Sequence, residues 1–222
     1  CNLMSERSGK VFVHAPNVHQ GGGKSLLTAL LNSFSGDLKI LAQLDRRMTL
    51  PASMPENITI KFVAPSIRQR LRAEWWLTQN VQPQDAVFCF GNLPPLFKLQ
   101  GQVTVFVQNR YLVDRVSLEN FPIKTRLRLI LERLWFSGRA VNADEFVVQT
   151  SSMKVLLKSR LGADVPVQVM PFVSFKEGYA RSLSQQDFQK GSHDFLYVAS
   201  GEPHKNHCRL VEAWCLLAAE GL

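Results

Sequence analysis

The stretch Val11-Phe-Val-His-Ala-Pro-Asn-Val-His-Gln-Gly-Gly-Gly-Lys-Ser25, continuing into Leu26-Leu-Thr-Ala-Leu-Leu31, decides the fold. Its first residues are a short apolar run, its middle is a polar loop ending in three glycines, and its end repeats apolar residues at helical spacing. A strand, a glycine turn and a helix N-terminus form a corner where unpaired amides and the positive end of the helix dipole favour an anion. Lys24 fits that reading, because a cation in the first helical turn opposes the dipole unless something negative lies close. Two familiar motifs fail. A P-loop needs glycine five positions before Gly23, where the chain has Val18, and a dinucleotide fingerprint starting at Gly21 needs glycine at Leu26.

The 222 residues, 45% hydrophobic and 20% charged, have the composition of a globular protein with a true core. No run is long enough to span a bilayer. The four cysteines, Cys1, Cys89, Cys208 and Cys215, show no metal-ligand spacing. Cys208 and Cys215 fall on one expected helix with Cα atoms roughly 10 Å apart, too far for a disulfide, so a reduced cytoplasmic protein without structural zinc is expected. The formal charge of +8 favours an anionic partner. No RNP sequence, helix-turn-helix or zinc finger points to nucleic acid, and the basic residues define no single face.

Strand-like runs recur at 38–44, 58–63, 85–90, 102–107, 145–149 and 165–170, alternating with helical segments at 66–77, 123–136 and 151–160. Most of these strands are continuous apolar runs, the pattern of a parallel sheet covered on both faces. The expected class is α/β, a doubly wound, Rossmann-like parallel sheet. Ligands in such sheets gather at the carboxyl ends of the strands. The polar residues there are His14 with Asn17 and the glycines, Gly91-Asn92, Gln108-Asn109-Arg110 and Gln149-Thr150. In the helix that starts near Ile123, Leu127, Ile130, Leu131 and Leu134 form a stripe expected to pack on the sheet, with Lys124, Arg126, Arg128 and Arg133 in solvent. The competing reading docks this helix and the 66–77 helix on an anionic membrane leaflet, with Trp75 and Trp76 exposed.

Between Ser174 and Ser192 the sequence turns polar and loses its period, as an interdomain linker does. A fresh strand at 194–199 and a following helix then begin a second unit that the chain ends too soon to complete. The expected organisation is an N-terminal domain over 1–173, a linker over 174–192 and the start of a second Rossmann-like domain over 193–222.

Three stretches resemble the retaining nucleotide-sugar glycosyltransferases of family 4, whose GT-B architecture sets two Rossmann-like domains across a cleft. They are the Gly21-Gly22-Gly23 corner, Glu145-Phe-Val-Val-Gln-Thr-Ser-Ser-Met-Lys-Val-Leu157 leading to Val169-Met-Pro-Phe172, and Phe195-Leu-Tyr-Val-Ala-Ser-Gly-Glu-Pro-His-Lys-Asn-His-Cys-Arg-Leu-Val-Glu-Ala-Trp214. The resemblance implies an acceptor-side domain followed by the opening of the donor-side one, and transfer from a nucleotide-sugar to a saccharide or lipid-linked acceptor in bacterial surface polysaccharide or lipopolysaccharide synthesis. It implies a cytoplasmic enzyme, peripheral on the inner membrane face. By resemblance, Lys205, with His204 beside it, contacts the donor diphosphate, and Gly21, Gly22, Gly23 and Lys24 line the cleft. No metal or other cofactor is implied, in line with the absence of an Asp-x-Asp pair.

The chain also departs from the family pattern. Ala199-Ser200-Gly201-Glu202 stands where the family usually has Gly-Arg, and Gln108-Asn109-Arg110 where it commonly has a histidine. That role falls to Asn109, to Arg110 or to His14. The family's two-glutamate motif has no counterpart in these residues, so the polypeptide alone is expected to be inactive. The reading of another class is a non-catalytic Rossmann-like module that binds a membrane or polyanion through its basic surface.

Overall fold

The computed structural model describes residues 9–34, 36–50, 54–114, 116–119, 121–171 and 207–221. They form β1 (Val11–Ala15), α1 (Gly21–Ser33), β2 (Ile40–Asp45), β3 (Ile58–Val63), α2 (Ile67–Asn80), β4 (Ala86–Cys89), β5 (Gln102–Val107), α3 (Arg110–Val113), α4 (Ile123–Arg139), β6 (Glu145–Val148), α5 (Ser151–Leu161), β7 (Val167–Val169) and α6 (His207–Ala219). A single 3-10 turn, Ala140–Asn142, joins α4 to β6. The strands make one parallel sheet in the order β3-β2-β1-β4-β5-β6-β7. This is the doubly wound α/β fold read from the sequence.

Every residue of β1 is buried, and alternate side chains leave opposite faces. Val11, Val13 and Ala15 join Leu27 and Leu31 of α1 and Ile40, Ala42 and Leu44 of β2 in one apolar cluster. Phe12 and His14 leave the other face and meet α2, where the Phe12 and Trp76 rings lie 6.0 Å apart. The chain runs outward from β1 to β3, then α2 carries it back across the sheet to β4 on the other side of β1. Because parallel crossovers are right-handed, α1 and α2 cover opposite faces. Between β1 and β4 the strand order reverses, and their carboxyl ends open a crevice.

The helix ends follow local chemistry. Ser66 caps α2 through Gln69 N, and Thr150 caps α5 through Met153 N. At the end of α5, Gly162 takes φ 116°, a conformation open to glycine and strained for other residues. At α1 the N-cap is Gln20, which makes no side-chain capping bond, and the first turn carries no acid.

The expected packing of α4 is overturned. Leu127, Ile130, Leu131 and Leu134 are exposed, while Leu129 and Phe136 are buried. Polar anchors on the sheet side set the helix's rotation. The Arg133 guanidinium donates to the carbonyls of Tyr111, Asp114 and Val116 at 2.7, 2.9 and 3.1 Å. Trp135 Nε1 donates to Pro94 O at 3.0 Å. Phe136 packs on Phe146 of β6 at 5.9 Å.

Two compact units divide the chain: Cys1–Val116 with Leu127–Phe172, and Ser117–Arg126 with Val173–Leu222. The first holds the sheet. In the second, α6 is a 13-residue helix with no buried residue, and Cys208 and Cys215 on it are free and exposed. The expected linker over 174–192, the strand at 194–199 and the residues His204 and Lys205 lie outside the described residues. Among those that are described, no helix is long and apolar enough to cross a membrane.

Candidate functional site

A cavity of about 300 Å³ occupies the crevice at the switch point, lined by Asn17, Val18, His19, Gln20 and Gly23 from the β1–α1 loop and first turn. Asn92 after β4, Gln108 and Asn109 after β5, and Arg128 of α4 complete it. Its size is at the lower end of small-molecule sites.

Hydrogen bonds fix its walls. Asn17 Nδ2 donates to Gly91 O at 2.9 Å, and a Cβ at Gly91 would overlap the Asn17 carboxamide, so glycine leaves room for that side chain in its present position. Asn92 has φ 67°, the left-handed conformation that asparagine tolerates better than most residues. Its Oδ1 accepts from the amides of Gln108 at 2.6 Å and Asn109 at 2.9 Å. Asn109 Oδ1 in turn caps α3 through Tyr111 N at 3.0 Å. Of the strand-end residues, Asn17 is thus tied to Gly91 and Asn92 to Gln108 and Asn109, whereas Thr150 is used to cap α5.

The charged groups around the cavity are few. Among the described residues that line it, Arg128 is the one lysine or arginine, and its Nε lies 3.8 Å from Glu132 on the same helix. Burial raises the pKa of Glu132, against the opposing pull of Arg128 and Arg70. Opposite stands His19, whose Nδ1 is buried without a hydrogen-bond partner among the described residues. That nitrogen lies 3.7 Å from Asp45 Oδ2 at the end of β2. Burial opposes ionisation of Asp45, but the Arg47 guanidinium, bonded to it at 2.7 and 3.0 Å, holds its pKa below the ordinary value. A fixed carboxylate thus faces the imidazole edge of the cavity.

His14 lies elsewhere. It is 2% exposed, with Nδ1 2.6 Å from Gln43 Oε1 and Nε2 3.1 Å from Glu74 Oε1. Gln43 Nε2 donates to Ala73 O at 3.3 Å, which fixes the amide so that its oxygen faces the ring. Glu74 also accepts from Arg70 Nε and from Leu96 N, each at 3.0 Å. Burial disfavours its charge, yet His14, Arg70 and the Leu96 amide outweigh that and bring its pKa to about 2. This network ties β1 and β2 to α2 beneath the crevice, and no atom of His14 lines the cavity.

Of the other residues singled out from sequence, Gly23 and Asn109 line the cavity. Gly21 and Lys24 instead line an open groove along α1 with Ser25, Thr28, Ala29 and Asn32, and Lys24 Nζ donates to Thr49 Oγ1 at 3.0 Å. Gly22 is exposed and lines neither. Arg110 pairs with Asp114 at 2.7 Å on α3. Sequence reasoning missed His19, Gln20 and Arg128. His19 was legible, since it follows the same strand as His14 but falls beyond the strand end, in the loop that faces the crevice.

The chain matches no protein-family model, no curated protein and no solved structure.

Proposed function

We propose that the chain is the acceptor-side part of a nucleotide-sugar glycosyltransferase and that the switch-point cavity seats a sugar. One observation carries this reading: five carboxamide residues, Asn17, Gln20, Asn92, Gln108 and Asn109, line one small cavity with a histidine and an arginine. A carboxamide donates and accepts, as each sugar hydroxyl does, so a lining of this kind suits a polyhydroxylated ligand better than an apolar or multiply charged one.

The positive elements are placed for a phosphate at the edge of such a ligand. Arg128 offers planar donors, and the uncapped start of α1 offers free amides at the positive end of its dipole. In sugar transfer the leaving diphosphate gains negative charge, and donors aimed at that charge lower the barrier. His19, next to the Asp45 carboxylate, is the imidazole available to orient an acceptor hydroxyl. It takes the role that the resemblance left to Asn109, Arg110 or His14.

The reading is tested by incubating the protein that carries this chain with radiolabelled nucleotide-sugars and mixed saccharide and lipid-linked acceptors, alongside titration of the chain with saccharides by NMR. Transfer, together with shifts confined to Asn17, Asn92 and Gln108-Asn109 resonances, supports it. Absence of transfer and donor hydrolysis, with no saccharide perturbing these residues, would reject it.

A further inference from the structure

We infer that α4 is a membrane-docking helix that lies in the plane of an anionic lipid bilayer. Its outward side carries Ile123, Leu127, Ile130, Leu131 and Leu134, and the last four are 57, 41, 58 and 66% exposed. At roughly 100° per residue the five fall within an arc of about 100° opposite the face that packs on the sheet. Single exposed leucines are ordinary, but a contiguous apolar strip along a helix marks an interaction surface.

Charge identifies the occupant. Lys124 and Arg128 border one edge of the strip and Arg126 the other, and the helix as a whole has five basic residues against the single acid Glu132. Two copies meeting through this face would bring like charges together. An anionic bilayer instead offers apolar depth for the leucines and phosphates for the flanking cations. The adjoining helix has the same character: α2 exposes Ile67, Leu71 and Trp75 beside Arg68 and Arg72. It touches α4 where the Arg70 guanidinium lies 5.3 Å from the Trp135 ring. Since α4 has 17 residues and several charges, it lies on the surface instead of spanning it.

This inference does not rest on the carbohydrate reading, because vesicle binding is measured without any sugar. The test is sedimentation of the chain with vesicles of phosphatidylcholine alone or mixed with phosphatidylglycerol. The wild-type chain is expected to bind the acidic vesicles, and more weakly as salt is raised. Two exposed-face variants, Leu127→Ser with Leu131→Ser and Leu134→Ser, and separately Lys124→Glu with Arg126→Glu, are each expected to lower vesicle affinity at least about tenfold. Their circular dichroism should be unchanged. Equal binding to neutral and acidic vesicles, no binding to either, or wild-type binding by both folded variants would overturn the inference. So would a wild-type dimer that the leucine variant dissolves.

Discussion

Asn92 Oδ1 lies 2.6 Å from the backbone nitrogen of Gln108, so the loop after β4 is tied to the loop after β5 by one side chain. The same oxygen accepts from Asn109 N at 2.9 Å, and the residue holds φ at 67°. Replacing Asn92 by alanine removes both bonds and leaves an unfavourable backbone conformation, costing about 2–3 kcal/mol in urea unfolding. Aspartate keeps the acceptor and tolerates the conformation, so Asn92→Asp should lose less than about 1 kcal/mol. Equal losses in the two variants would mean that the bridge contributes little.

Gly91 tests the other wall. A Cβ there collides with the carboxamide of Asn17, whose Nδ2 bonds to Gly91 O at 2.9 Å. Gly91→Ala should displace Asn17 and cost about 1–3 kcal/mol by overpacking. The loss should be smaller in an Asn17→Ala background, because the obstructing group is gone. A double-mutant cycle reads the coupling, and additive losses would show that the collision is relieved by other means.

The buried ion pair predicts an acid limb in stability. Glu74 has its pKa depressed to about 2 in the folded protein, against about 4.3 when unfolded. A depressed carboxylate contributes stability that is fully present above the unfolded value and is lost as pH falls through the folded one. The loss should therefore run from roughly pH 5 down to about 2 and amount to something on the order of 3 kcal/mol. Glu74→Gln should be destabilised near neutral pH and show a flatter profile in that window, measured by denaturant midpoints at successive pH values. An unchanged slope in this variant would assign the acid limb to other carboxylates.

The sheet was legible because its strands are continuous apolar runs separated by helices, a pattern that physically requires cover on both faces. The seven strands and the five longer helices of the described region lie where the periodicity put them, apart from end residues and the short α3 and 3-10 turns, which leave no periodic signal. The cavity was partly legible for the same reason: Asn17, Asn92, Gln108 and Asn109 all follow strands that end at the crevice. The direction of α4 was not. Its apolar stripe is genuine, but three carbonyls satisfied by Arg133 and the bond from Trp135 to Pro94 O decide its rotation. Those partners are distant in sequence. His14 misled because period 2 turns it to the α2 face, while His19, past the strand end, escapes that alternation.

Lys24 and Arg128 separate the sequence-based picture of the site from the structural one. Lys24 projects along the outer groove to Thr49, so Lys24→Ala should change stability by less than about 0.5 kcal/mol and leave ligand binding intact. Arg128 lines the cavity, and Arg128→Gln removes the lining cation while keeping a hydrogen-bonding side chain. Affinity for a phosphorylated sugar should then fall at least about tenfold, the scale of one charge-assisted contact, with affinity for the neutral sugar changed less than about threefold. Calorimetric titration of both variants with a sugar and its phosphate reads the difference. If Lys24→Ala carries the phosphate-dependent loss and Arg128→Gln does not, the ligand sits in the α1 groove and the cavity assignment is wrong.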